Sequence, residues 1–256
     1  MKKYLLIGLF LALTNVQSFE SFGWGPRGHA IVAEIGYSMM DSAAKAAVKK
    51  YLSGMTLADD GNWMDVIKSD RKYDFMKPWH YTDFDKGSQY EPKEDIDIVQ
   101  ALKNAMEKLS HRDNLNKLDI KKNMLIIFHL CGDFHQPLHI GYSQDRGGNN
   151  VQVSYLGEET NLHVVWDSKI IEGENISKDD CMDRLVDFNK EMVDSYKDLD
   201  IEKWVLEPRQ LLSGVYNFEN GKIDRKYVDK NKKVIERQLL IAGIRLAAVM
   251  NSLFKA

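Results

Sequence analysis

The chain has 256 residues, of which 35 are basic and 38 acidic, for a formal charge of −3 at neutral pH. That balance lacks the cationic surplus by which a nucleic-acid binder usually announces itself, and two cysteines, Cys131 and Cys181, exclude a disulfide scaffold. The length suits one domain with a sizeable core, and no Pro-, Gly- or Ser-rich linker divides it.

Residues 1–23 read as an export signal. Lys2 and Lys3 precede an apolar run from Tyr4 to Leu13, and Ser21-Phe22-Gly23 places small residues at both positions a signal peptidase reads. Cleavage there makes Trp24 the first residue of a secreted or periplasmic chain of residues 24–256; a second site follows Val16-Gln17-Ser18. An uncleaved anchor is disfavoured, because the apolar run is too short to span a bilayer comfortably, and no later segment is a membrane span. Processing removes Lys2, Lys3 and Glu20 and leaves 33 basic and 37 acidic residues, a charge of −4.

The remainder has mostly helical period, which predicts a mainly α, single-domain fold with one small β-hairpin. Asp41 caps a helix running from Ala43 to Leu52 and stopped by Gly54; Ile98, Leu102, Met106 and Leu109 form one apolar stripe, and Leu185, Phe188, Met192 and Tyr196 another. Val151, Val153 and Tyr155 alternate with polar residues before "GEET" turns the chain into Leu162, Val164 and Val165, the predicted hairpin. Ile235, Leu239, Ala242, Leu246 and Val249 mark a long C-terminal helix. Cys131 lies within an apolar helical run, as a buried free thiol would.

Chemistry concentrates in "FHLCGDFHQPLH", residues 128–139, which holds three of the seven histidines. His129 and Asp133 are four apart in a helical run, so they share one face, and Gln136-Pro137 breaks the helix so that His139 approaches from another direction. Imidazole with carboxylate suits zinc. His135 should face elsewhere as a structural residue, and His111 belongs to a solvated loop. The four-residue spacing recurs at His163 and Asp167 in "NLHVVWD", with Asp65 and His80 upstream. One such pair is more often a surface or capping contact, and a lone histidine beside an aromatic is usually packing; their concentration favours a metal site.

In order, "WGPRGH", "WMD", "PWHYTD", "HLCGDFHQPLH", "DRGGNN" and "NLHVVWD" resemble the zinc-dependent S-one/P-one nucleases of the phospholipase C superfamily, over essentially all of residues 24–256. The resemblance implies a helical fold with three zinc ions per chain in one cleft. It places Asp65, His80, His129 and Asp133 on the first zinc and His139, His163 and Asp167 on the second. The third falls to the amine and carbonyl of Trp24, to His29 and to a bridging Asp133. A free α-amine, with a pKa of about 8, can lose its proton to a metal near neutral pH, whereas an amide in an uncut chain is a poor ligand.

The implied reaction is attack on phosphorus by hydroxide between the first two zincs while the third faces the leaving 3′-oxygen, which keeps the phosphate on the 5′ side. The implied substrates are single-stranded DNA, RNA and 3′-nucleotides, with no obligate protein partner. Asp83 falls at the family's catalytic carboxylate; without the resemblance it would read as a cap or a surface charge. Lys68 stands where the family usually has an arginine, so the charge is kept and the bidentate fork is lost. Tyr81 falls where an aromatic ring meets a nucleobase, and buried packing is an even alternative. Asp145 and Asn149, in "DRGGNN", would touch the base edge, although glycines and asparagines equally favour a turn. Three divalent ions would add six charges to a chain of −4, concentrated at the cleft, which reconciles an acidic protein with a polyanionic substrate. A zinc phospholipase C is the nearest alternative, disfavoured because Asp167 stands where that branch has glutamate; a secreted zinc-binding protein with little catalysis is another.

Overall fold

A computed structural model describes residues 23–255, so the predicted export signal lies, apart from Gly23, outside the described residues. The helices are α1 (Pro26–Met39), α2 (Ser42–Tyr51), α3 (Leu57–Ile67), α4 (Ile98–Ser110) and α5 (Lys117–Asp133). The strands β1 (Gln152–Tyr155) and β2 (Glu158–Asn161) follow, then α6 (Leu162–Val164), α7 (Ile170–Gly173), α8 (Lys178–Asp183), α9 (Lys190–Ser195), α10 (Ile201–Trp204) and α11 (Leu206–Val215). Strand β3 (Lys222–Ile223) and the 29-residue α12 (Arg225–Leu253) close the fold, which is mainly α as expected.

Local chemistry sets the boundaries. Asp41 accepts a hydrogen bond from the Ala44 amide and starts α2, and Thr56 with Asp59 forms a reciprocal capping box at α3. Asn116 caps α5 through the amides of Leu118 and Asp119. From Asn123 to Asp133 every residue of α5 is buried, which makes it the central helix, packed against α3 and α4. Helix α1 lies between α3 and α12. A polar group placed near the end of α5 is therefore delivered to the interior. Among the described residues no helix is long and apolar enough to cross a membrane.

Two elements depart from expectation. The β1–β2 turn is Leu156-Gly157, both at positive φ, so "EET" belongs to the second strand and Leu162–Val164 is already helical. Asn161 forces that switch, because its side chain accepts from the Val164 amide and caps the new turn. Strand β3 adds a short parallel neighbour to β1, so the hairpin sits in a three-stranded sheet of order β2-β1-β3. The stripe from Leu185 to Tyr196 is also not one helix. Phe188 is extended, and Asn189 starts α9 by accepting from the Met192 amide.

Candidate metal centre

Helix α5 presents His129 and Asp133 one turn apart, with His129 Nε2 3.0 Å from Asp133 Oδ2. Phe134 closes the helix, Pro137 opens a short 3₁₀ turn, and that turn brings His139 back so that its Nδ1 lies 3.8 Å from Asp133. His29, on the first turn of α1, stacks on His129 with ring centroids 4.0 Å apart, and its Nε2 is 3.2 Å from Asp133 Oδ1. That stacking depends on Gly132, because a Cβ there would come within 2.8 Å of His29 Nδ1. His80 Nδ1 sits 2.9 Å from Asp133 Oδ2 and 3.0 Å from His129 Nε2, and Asp65, on α3, is 4.0 Å from His129. A π-helical turn over Val165–Lys169 carries Asp167, whose carboxylate is 3.2 Å from His163 and 3.9 Å from His139. Single π turns are frequent at functional sites.

Three histidines share a hydrogen-bond pattern. Nδ1–H of His129 donates to Gly61 O at 2.7 Å, that of His139 to His80 O at 2.7 Å, and that of His163 to Gly147 O at 2.6 Å. A carbonyl can only accept, so each Nδ1 carries a proton and Nε2 is the nitrogen turned to the cluster; against the effect of burial, Asp133 raises the pKa of His129 and Asp167 that of His163, so a cation bound there would displace an Nε2 proton. Among the described residues, Nε2 of His29, His139 and His163, Asp133 Oδ1 and Asp167 Oδ2 have no hydrogen-bond partner although buried. Each such atom costs about 1–3 kcal/mol. They belong to two of three sets whose candidate donor atoms lie within 4.8 Å of one another, His29, His129 and Asp133, and His139, His163 and Asp167; the other set is Asp65, His80 and His129. A cation in each set would satisfy them.

The charge states suit that use. Burial alone would raise the Asp133 pKa, but His129, His139 and His29 hold the carboxyl well below its ordinary range. Burial drives His139 down to about 4, against the pull of Asp133 and Asp167, so its imidazole is neutral near pH 7.

A pocket of about 80 Å³ adjoins His163, lined by Tyr81, Asp83, Leu138, Arg146 and Asn149. Burial, only partly offset by His163 and Lys93, pushes the Asp83 carboxyl up to about 6. The Asp145 carboxylate accepts from the Gly148 amide and the Tyr216 hydroxyl, both at 2.8 Å, and the neighbouring Arg146, not singled out from the sequence, lines the pocket. Lys68 caps α3 with Nζ 3.1 Å from Asp65 Oδ1.

Motif reading also misses Arg209. Its guanidinium lies between the rings of Phe84 and Tyr142, 3.8 and 4.6 Å from their centroids, and donates to the carbonyls of Phe84, Asp85, Ile140 and Gly141. It ties the segment after Asp83 to the segment after His139. No local signal marks it, because its partners are at least 68 residues away in sequence.

Comparison with known proteins bears on the same residues. A sequence model of the family described as S1/P1 Nuclease matches residues 24–255. The chain belongs to the S1/P1 nuclease family. It is similar to Endonuclease 4 of Arabidopsis thaliana (28% identical, covering 91% of this chain and 90% of that protein) and to Endonuclease 3 of the same plant (29%, 91% and 90%). It is also similar to Nuclease S1 of Aspergillus oryzae (28%, 89% and 91%). Membership of the S1/P1 family decides against the phospholipase C branch. The S1/P1 match begins at Trp24, two residues before α1, and Trp24 itself is fully buried.

Proposed function

We propose that this chain is a secreted or periplasmic zinc-dependent nuclease that cuts single-stranded DNA and RNA to 5′-phosphorylated products and also hydrolyses 3′-nucleotides. The observation that carries the proposal is the convergence of buried, unpartnered Nε2 atoms of His29, His139 and His163 with unpartnered oxygens of Asp133 and Asp167, the far nitrogens of His139 and His163 being tied to backbone carbonyls. Mixed imidazole and carboxylate donors suit zinc, and three zincs per chain would take the three sets above. Bound there, the ions would supply hydroxide at neutral pH and neutralise charge on the phosphate.

The chain's own residues divide the remaining work. His129 belongs to the sets of both His29 and Asp65, and Asp133 faces His29 with Oδ1 and His80 with Oδ2, so ions held there would share these residues; the geometry favours pairing the first and third ions, whereas the resemblance implied pairing the first two. The set of His139, His163 and Asp167 adjoins the Tyr81 pocket, beside the bound nucleotide's 3′-oxygen. In this reading the phosphate lies over the shared pair, Tyr81 stacks on the base, Asn149 and Arg146 meet the base edge, and Asp145 shapes their loop. Asp83 lines the Tyr81 pocket, on the side of the leaving oxygen, where as a carboxylate it would accept hydrogen bonds from the bound nucleotide and hold it in line for attack. Lys68, held by Asp65, adds positive charge beside the phosphate.

Trp24 would complete the third set with its amine and carbonyl once residues 1–23 are removed. Gly23, at a φ of +114°, lies against that set, and a Cβ on it would run into Asp133 Oδ1 and His29 Nε2. Removing it gives the new amine room beside both groups.

Metal quantification on exported protein whose first residue has been sequenced, with a nucleotide-release assay on single-stranded DNA, RNA and 3′-nucleotides, tests the proposal. It expects about three zincs per chain and 5′-nucleotides as products. A zinc-loaded sample inert on all three substrates would return the chain to the zinc-binding alternative.

A further inference from the structure

The candidate ligands are linked neighbour to neighbour. From the Tyr81 pocket the links are His163 to Asp167 (3.2 Å), Asp167 to His139 (3.9 Å), His139 to Asp133 (3.8 Å), Asp133 to His129 (3.0 Å) and His129 to Asp65 (4.0 Å). Asp65 is also a wall of a second depression, an open groove of about 450 Å³ along α3. A phosphate held by these residues therefore has the Tyr81 pocket beside His163 and this groove beside Asp65.

The groove's chemistry says what fits. Pro26, Ala58, Trp63 and Val66 make it apolar, and Val66 is 69% exposed. Its polar members are Asp59, Asn62 and Asp65, and among the described residues no lysine or arginine lines it. Such a surface repels a phosphate and suits a flat, neutral group that can donate a hydrogen bond. Asn62 is held in place: its Nδ2 donates to Pro26 O at 3.0 Å and Ala58 O at 2.8 Å and its Oδ1 is buried, so hydrogen-bond acceptance in the groove falls to the carboxylates that line it.

We infer that this groove seats a nucleobase: the one across the scissile phosphate from the base in the Tyr81 pocket. The inference rests on the nuclease reading and extends it. The enzyme would then read its substrate as a dinucleotide step, with Trp63 and Val66 as the apolar walls for the second base.

Two diesters separate this from the nuclease reading itself: dithymidine monophosphate, and thymidine 3′-(methyl phosphate), which carries nothing to seat in the groove. The wild-type enzyme is expected to show a kcat/KM for the first about tenfold or more above the second, the size of one base–aromatic contact. Trp63→Ala lowers that ratio by about tenfold, mainly through KM. Val66→Ser, at an exposed position that leaves folding alone, lowers it by about threefold through lost apolar contact. Methyl ester turnover and metal content stay at wild-type values in both. A wild-type ratio near one, or variants that change both substrates equally, would overturn the groove assignment while leaving the nuclease reading standing. An enzyme that cleaves neither diester removes both.

Discussion

His135 and His139 are four residues apart in sequence, are equally buried, and each donates its Nδ1–H to a backbone carbonyl. Their far nitrogens differ. His135 Nε2 accepts from the Arg245 guanidinium at 2.7 Å, and Arg245 in turn donates to Glu207 and lies 4.7 Å from the Trp204 ring centroid. His139 Nε2 faces Asp167 and has no hydrogen-bond partner among the described residues. One region holds its histidine with a cation from the chain itself, and the other would be completed by a cation from outside. Burial and tautomer therefore do not distinguish a structural histidine from a ligand. What stands before the second nitrogen does.

Substitutions on the two sides should behave differently. Asp133→Ala removes the carboxylate that the imidazoles of His29, His80, His129 and His139 face, and should reduce bound metal and cut turnover by about 10³-fold or more; full metal content with full activity would break the contrast. Asp83→Asn should lose about 10²-fold in kcat with metal content unchanged. The wild-type acid limb should lie at or below about pH 6, because Asp83 positions the nucleotide only as a carboxylate, burial raises its pKa, and nearby divalent ions would lower it again. Residual activity in the variant should lack that limb.

Arg209→Met leaves every proposed ligand in place but unties Asp83 from the His139 segment, so kcat should drop by about tenfold with metal content and KM little changed. A wild-type pH profile and rate in that variant would remove Arg209 from the site's support. Lys68→Arg restores the fork to a residue beside the phosphate and should keep or improve turnover within about threefold.

His135→Leu should leave kcat unchanged and lower stability by about 1–3 kcal/mol, because Arg245 loses its buried acceptor. Burial first, and then the Arg245 charge, hold the His135 pKa well below its ordinary value. The folded state therefore resists protonating His135, and stability present above about pH 6.5 is lost as the pH falls below it. Denaturation midpoints measured between pH 7 and 5 should fall less steeply in His135→Leu than in the wild type. Loss of metal in this variant would mean that the two regions are not separable.

Much of the site was legible because its donors come in short motifs with helical spacing. His129 and Asp133 share a face by their period alone, and Pro137 announces the return that delivers His139. The helix carrying His163 and Asp167 was half legible. Their spacing asked for a helix while Val164 and Val165 favoured a strand, and the Asn161 cap decided for the helix. Arg209 and Gly132 were not legible as functional residues, since one acts through carbonyls remote in sequence and the other through the space it leaves for His29. Strand β3 is two residues long, too short to show alternation. The break at Phe188 was hidden because the apolar period continues through it, and only the capping side chain of Asn189 marks the new start.

Anomalous diffraction from crystals of exported, zinc-grown protein, recorded on both sides of the zinc absorption edge, tests the central claim most directly. The account predicts three peaks: one among Asp65, His80, His129 and Asp133, one among His139, His163 and Asp167, and one beside His29 and the amine of Trp24. Fully active crystals with no anomalous density at these donors, or with density lying elsewhere, would contradict it.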